Sequence, residues 1–164
     1  MARREEIVTV ALEGRDKGKR FLIREMPADQ GEDWAYRTLL MFSRSGINMP
    51  EGIFERGFAG LAGIVPYLLV IGLQGLQGVR VEELRPLLVE MMGCVRFVPP
   101  GTIANPDVMQ SIMLGEASQI EEVATRAWLL QKVLELHMGF SVADALSKYL
   151  QKTAPPAPES QSAS

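Results

Sequence analysis

The sequence predicts an α+β fold: an N-terminal β-hairpin with a candidate third strand, then a mainly helical body and a disordered C-terminal tail. Three observations point there. Two short alternating runs flank a charged, glycine-bearing loop between Glu6 and Glu25. From Pro27 to Gln151, apolar residues recur at helical spacing between recognisable start and stop signals. Thr153 to Ser164 holds Pro, Ser and Ala but no large apolar residue, so burial there cannot offset the entropy of ordering. A chain of 164 residues can bury a real core, and the expected division is one α+β domain over 1–152, with the hairpin at about 6–25, the helical body at about 27–151 and the tail at 153–164.

In order, Glu6 to Leu12 alternates with Val8, Val10 and Leu12 on one side, and Arg20 to Glu25 sets Phe21 and Ile23 against Leu22. The segment between them, Glu13 to Lys19, carries Gly14 and Gly18 and is expected to be a solvated hairpin tip. A lone hairpin is marginal, so Val95 to Val98, flanked by Pro99 and Pro100, is the candidate third strand. Pro27 and Gly46 bracket a first helix, Ala28 to Ser45, with Trp34, Ala35, Thr38, Met41 and Phe42 on one face and Asp33, Arg37 and Arg44 opposite. A second helix, about Glu82 to Met92, aligns Leu84, Leu87, Leu88, Met91 and Met92; Pro86 is tolerable near its start. Ser118 and Glu121 form a capping-box pattern ahead of Ile120, Val123, Ala127, Leu130, Leu134 and Met138, and Gly139 is placed to end that helix. Ser141 and Asp144 repeat the pattern before a last helix to about Gln151, with Val142, Ala145, Leu146 and Tyr149 on its face.

Lys and Arg number 17 against 20 Asp and Glu, and the net charge of -3 gives no general attraction for nucleic acid or an anionic membrane. The single cysteine, Cys94, cannot form an internal disulfide, and Met1 to Glu6 is charged with no apolar run behind it, so a reducing cytoplasm is expected. Nine Met and fifteen Gly accompany only 7% aromatics, a composition that suits adaptable apolar contacts as well as ordinary packing. The uncharged stretch Phe58 to Leu76 is about the length that crosses a bilayer. Pro66 in its middle, Gly60, Gly63, Gly72 and Gly75, and Gln74 near its end favour two protein-covered helices over a membrane span.

The residues offer no catalytic constellation, so no enzyme activity, cofactor or metal is expected. Gly14 to Arg20 fails the phosphate-loop pattern in both spacing and the missing Ser or Thr, and it joins two strands. His137, the only histidine, has no second ligand at metal spacing and is expected as a helix-terminal or packed side chain. Cys94, between a Leu- and Met-rich helix and a strand, is expected to be a small buried hydrophobe. Glu121 and Glu122 are neighbours that diverge on a helix and serve as first-turn charges. Phe21 is the only aromatic near the cluster of Arg15, Lys17, Lys19 and Arg20, so single-stranded nucleic acid is not indicated either.

Several ordered fragments together carry a likeness. They are Gly14-Arg-Asp-Lys-Gly18-Lys19, Phe21-Leu-Ile-Arg-Glu25-Met-Pro27, Trp34 with Leu39-Leu40, Ser45-Gly46, Leu87-Leu88 through Met91, Cys94-Val95, Ile120 through Arg126, and Leu136-His-Met-Gly139-Phe140-Ser141. In this order and spacing, from about Ile7 to Ser141, the chain resembles the tail assembly chaperones of long-tailed bacteriophages. The resemblance implies a protein of the infected host cytoplasm that binds the long helical tape measure protein, keeps it soluble and helps tail tube subunits assemble around it. It implies absence from the finished virion, and, through a frameshifted longer product, recruitment of the major tail tube protein; self-association is compatible with it. No agreed set of binding residues comes with it. Periodicity alone nominates Met41, Phe42, Ile64, Leu68, Leu73, Met91 and Met92 as partner-binding positions for a helix laid into a groove. A membrane-active small phage protein using 58–76, or a structural tail component, is the alternative.

Overall fold

In a computed structural model, which describes residues 3–46, 51–56, 78–102 and 108–153, the alternating N-terminal runs form strands β1 (Glu5–Thr9) and β2 (Arg20–Arg24). Helices α1 (Ala28–Arg44) and α2 (Val81–Met92) follow, then β3 (Val95–Val98), the two-residue β4 (Gln110–Ser111), α3 (Val123–Met138) and α4 (Val142–Thr153). The fold is α+β, as the sequence predicts. The candidate third strand is present, antiparallel to β2, and β4 adds a fourth, giving the order β1-β2-β3-β4. Two residues are too few to leave an alternation in the sequence.

Register puts apolar residues on one face of the sheet. Val8 lies opposite Phe21, Phe21 opposite Phe97, and Ile23 opposite Val95. Val8, Phe21, Ile23 and Val95 are buried in the same core as the helices, and the Phe21 and Phe97 rings meet at 5.6 Å and 59°, a favourable tilted pair. The ladder runs past the strand ends: Val10 N–H donates to the Lys19 carbonyl at 2.9 Å and Gly18 N–H to the Val10 carbonyl at 2.8 Å. Val10 is buried with them, but Leu12, expected on the same side, is exposed.

The expected face of α1 is its buried face, joined by Gly31 and Leu39. In α2 the buried residues are Leu87, Met91 and Met92, with Leu84 and Leu88 half-covered. Polar contacts fix how the two helices lie together: Trp34 Nε1–H donates to the Leu87 carbonyl at 3.0 Å, and Arg37 pairs with Glu90 at 2.7 Å. A Cβ added at Gly78 would run into the backbone of Ser45, so glycine permits the close approach of the chain entering α2 to the end of α1. Gly139, at φ 75°, ends α3 in the left-handed conformation as expected. Ser141 Oγ then accepts the Asp144 N–H at 3.4 Å at the start of α4. That helix extends to Thr153, two residues past the expected end; the residues after Thr153 and the stretch Phe58 to Leu76 lie outside the described residues. Among the described residues, no helix is long and apolar enough to cross a membrane.

Candidate docking surface

Two expectations about α3 are corrected. Ser118 and Glu121 do not form a capping box. Ser118 Oγ closes a tight turn on Ile120 instead, accepting its N–H at 3.2 Å, and the helix starts at Val123 with no side-chain cap of its own. The polar group at its entrance comes from the hairpin loop. Asp16 is 1% exposed, and its carboxylate accepts the N–H of Glu121 at 3.1 Å, the N–H of Glu122 at 2.8 Å and the Lys19 ammonium at 2.7 Å. The hydroxyl of Thr125, in the first turn, adds a further bond. The loop is therefore not a solvated tip at its centre. Burial alone would raise the Asp16 carboxyl, but the Lys19 ammonium, the two amides and Thr125 more than offset it and hold the group at about 2. An anion at a helix N-terminus is also favoured by the helix dipole.

The neighbouring charges complete a latch. Arg15 Nε donates to Glu122 at 2.9 Å and Arg15 Nη2 to the Glu121 carbonyl at 3.0 Å, while Lys19 also reaches Glu121 at 3.1 Å and the Gln119 carbonyl at 3.0 Å. Glu121 and Glu122 thus precede the first turn and pair with the hairpin, where the sequence suggested first-turn charges. At the other end of α3, His137 Nδ1–H donates to the Val133 carbonyl at 2.7 Å and Nε2 accepts the Met26 N–H at 2.8 Å. Arg4, paired with Glu25, reaches the His137 carbonyl at 3.3 Å. His137 is the helix-terminal packed histidine expected. Polar clamps therefore tie both ends of α3 to the N-terminal strands.

Between the clamps, α3 turns Thr125, Leu129 and Val133 inward, and all three are buried. These lie at steps of four, one stripe of a helix. The second correction follows: the stripe that periodicity singles out, Val123, Ala127, Leu130, Leu134 and Met138 with Ile120 ahead of it, is not the fully buried one, although Ile120, Leu130 and Leu134 pack against the core. Val123 is 86% exposed, Ala127 is exposed, and Leu130, Leu134 and Met138 are half-buried. Its spacing of i, i+4, i+7, i+11 and i+15 is the apolar seam along which one helix packs on another. The seam is about 24 Å long at 1.5 Å per residue. Beyond Gly139, α4 presents Val142, Ala145 and Leu146, half-buried, and Leu150, exposed; no described residue of this amphipathic helix is buried.

The nominated partner-binding positions lie elsewhere. Met41, Phe42, Met91 and Met92 are all buried in the chain's own core, which corrects their assignment to a surface. Periodicity correctly finds an apolar face but says nothing of what covers it. Ile64, Leu68 and Leu73 lie outside the described residues. Cys94 is the small buried hydrophobe expected: desolvation, with the nearby Glu90 charge, pushes its thiol up to about 11, and its sulfur faces the Glu90 carbonyl at 4.0 Å. Among the described residues no group of His, Cys, Asp and Glu is placed to hold a metal ion. A shallow cleft of about 280 Å³ beside Lys17, Lys19, Arg20 and Phe97 has its cations already engaged, by Glu13, by Asp16 with Glu121, and by the Thr102 carbonyl respectively.

No protein-family model matches the chain, and comparison with curated proteins and with solved structures likewise returns no match.

Proposed function

We propose that this chain is a tail assembly chaperone of a long-tailed bacteriophage, which works without chemistry of its own by covering apolar stripes of the tape measure protein until tube subunits replace it. The ordered fragments from Ile7 to Ser141 support the family. The single observation that supports the mode of action is the outer stripe of α3, a helix-packing seam which the chain leaves exposed at Val123 and Ala127. Exposed apolar side chains at regular helical spacing, on a helix clamped at both ends, form a rigid ridge for an amphipathic helix. Preorganisation matters here, because ordering costs met during folding are not met again on binding.

A tape measure helix of matching period would bury Val123 and Ala127 and complete the cover of Leu130 and Leu134. Full burial of a Val side chain contributes about 1.5 kcal/mol or more, roughly tenfold in affinity. The test is co-purification of the chain with a coexpressed tape measure fragment. The pair Val123→Glu and Ala127→Glu is expected to reduce recovery at least about tenfold, since each charge would be desolvated in the complex. The same protein should keep the parent melting temperature. Undiminished recovery would remove the outer stripe from the account. Substituting Met91 and Met92 would not serve, because Glu at those buried positions places charge in the core, and lost recovery would then report unfolding.

A further inference from the structure

The two edges of the sheet differ in how they are guarded. Beside β1 stand Arg3, Arg4, Glu5 and Glu6, and charge along an edge strand opposes pairing with another chain. The β4 side is guarded by its length of two residues but not by charge: from Val108 to Gly115, up to Glu116, the sequence Val-Met-Gln-Ser-Ile-Met-Leu-Gly carries none, and Met113 and Leu114, just past β4, are 53% and 78% exposed. An uncharged edge with exposed apolar residues is a template for a further strand.

Among the described residues, one side chain engages that edge. The Gln119 amide accepts the Met113 N–H at 2.9 Å through Oε1 and donates through Nε2 to the Ser111 carbonyl at 3.3 Å, with a longer contact to Gln110 Oε1 at 3.5 Å. Residues two apart direct their backbone groups to the same side of an extended strand, so one primary amide bridges a carbonyl and an N–H that an added strand would use. Gln119 is itself held in place, because its carbonyl accepts the Lys19 ammonium at 3.0 Å, in the latch around Asp16. We propose that Gln119 is a plug, a side-chain imitation of a peptide group, that closes the β4 edge against antiparallel pairing with the same edge of a second copy of this chain. A second copy is the occupant because an uncharged strand meets an identical uncharged strand at no electrostatic cost, and Met113 and Leu114 of both copies would cover one another.

The experiment is sedimentation equilibrium of the full chain across a wide concentration range, for the parent, Gln119→Ala, and Gln119→Ala combined with Ser111→Lys. The Ala variant is expected to show a weight-average mass rising with concentration toward twice the parent value. The added lysines, brought together across a self-paired edge, are expected to abolish that rise. A Gln119→Ala protein with the parent's concentration dependence would overturn the proposal, as would association that Ser111→Lys leaves intact. If thermal melting shows Gln119→Ala to be unfolded, Gln119→Met, which keeps the length of the side chain and removes both hydrogen bonds, is measured in its place under the same two criteria.

Discussion

Helices α1 and α2 on one side and α3 on the other use apolar periodicity differently. In α1 and α2, the stripe with helical spacing is the stripe the chain buries, from Trp34 and Ala35 to Met41 and from Leu87 to Met91 and Met92. In α3 the best-spaced stripe is only part-covered, exposed at Val123 and Ala127 with Leu130 and Leu134 packed against the core, and a shorter one, Thr125, Leu129 and Val133, is fully buried. The difference teaches that periodicity locates faces fit for packing without saying whose surface completes them. Where one helix has two such faces, only one is fully buried in its own core, and the other keeps some positions exposed, here Val123 and Ala127. The faces of α1 and α2 that carry Met41, Met91 and Met92 are ordinary core. The partner-seeking character of the chain, in the proposed account, resides in α3 and α4.

The sharpest way to break this comparison is to truncate the inner stripe. Leu129→Ala should cost about 2–5 kcal/mol, matching Leu39→Ala in α1, because both side chains are fully buried. Urea unfolding measures both, and an inner-stripe cost below about 1 kcal/mol would mean that α3 is not packed as described.

A smaller effect is expected at the latch. Asp16→Asn keeps the shape but removes the anion facing Lys19 and the two amides, and the carboxyl's displacement to about 2 corresponds to roughly 2 kcal/mol of stability. The sign follows from the direction of the displacement. A carboxyl held below its ordinary 3.8 stabilises the fold fully above that value, and the contribution is lost as pH falls toward about 2. Glu25 and Glu122 are lowered in the same sense by Arg4 and Arg15, so acid weakens the whole contact between strands and α3. The stability gap between parent and Asp16→Asn should therefore be widest near neutral pH and close as pH approaches about 2. A gap that stays constant with pH would show that Asp16 contributes through packing and not through charge.

Much of the fold was legible because its signals are local. Pro27, Gly46 and Gly139 mark helix ends through their own backbone preferences, and the alternation around Val8 and Phe21 marks the hairpin within a few residues. Val95 to Val98 is legible as a short, mostly apolar run that ends at Pro99 and Pro100 and that the hairpin needs as a neighbour. The latch was not legible, since Asp16 meets Glu121 across 105 residues and nothing in Arg-Asp-Lys names that partner. The capping-box pattern at Ser118 competed with it and lost, because Ser118 satisfies its own turn and leaves the Glu121 and Glu122 amides to the aspartate. The inner stripe of α3 was hidden by Thr125, a polar residue that interrupts an apolar count although its hydroxyl is satisfied by Asp16. Its four-residue steps, continued by His137, are the signal that would have revealed it. Periodicity puts Met41, Phe42, Met91 and Met92 on apolar faces, and those faces turn inward to the core.

The most direct test places a photo-crosslinking residue at Val123, on the outer stripe of α3 and 86% exposed, and in a second protein at Val89, the same residue type and 56% exposed on α2. Each is irradiated with a tape measure fragment. The account predicts a crosslinked product from position 123 and none from 89. Equal products from both, or a product from 89 alone, would contradict the claim that the open stripe of α3 is the surface made for a partner.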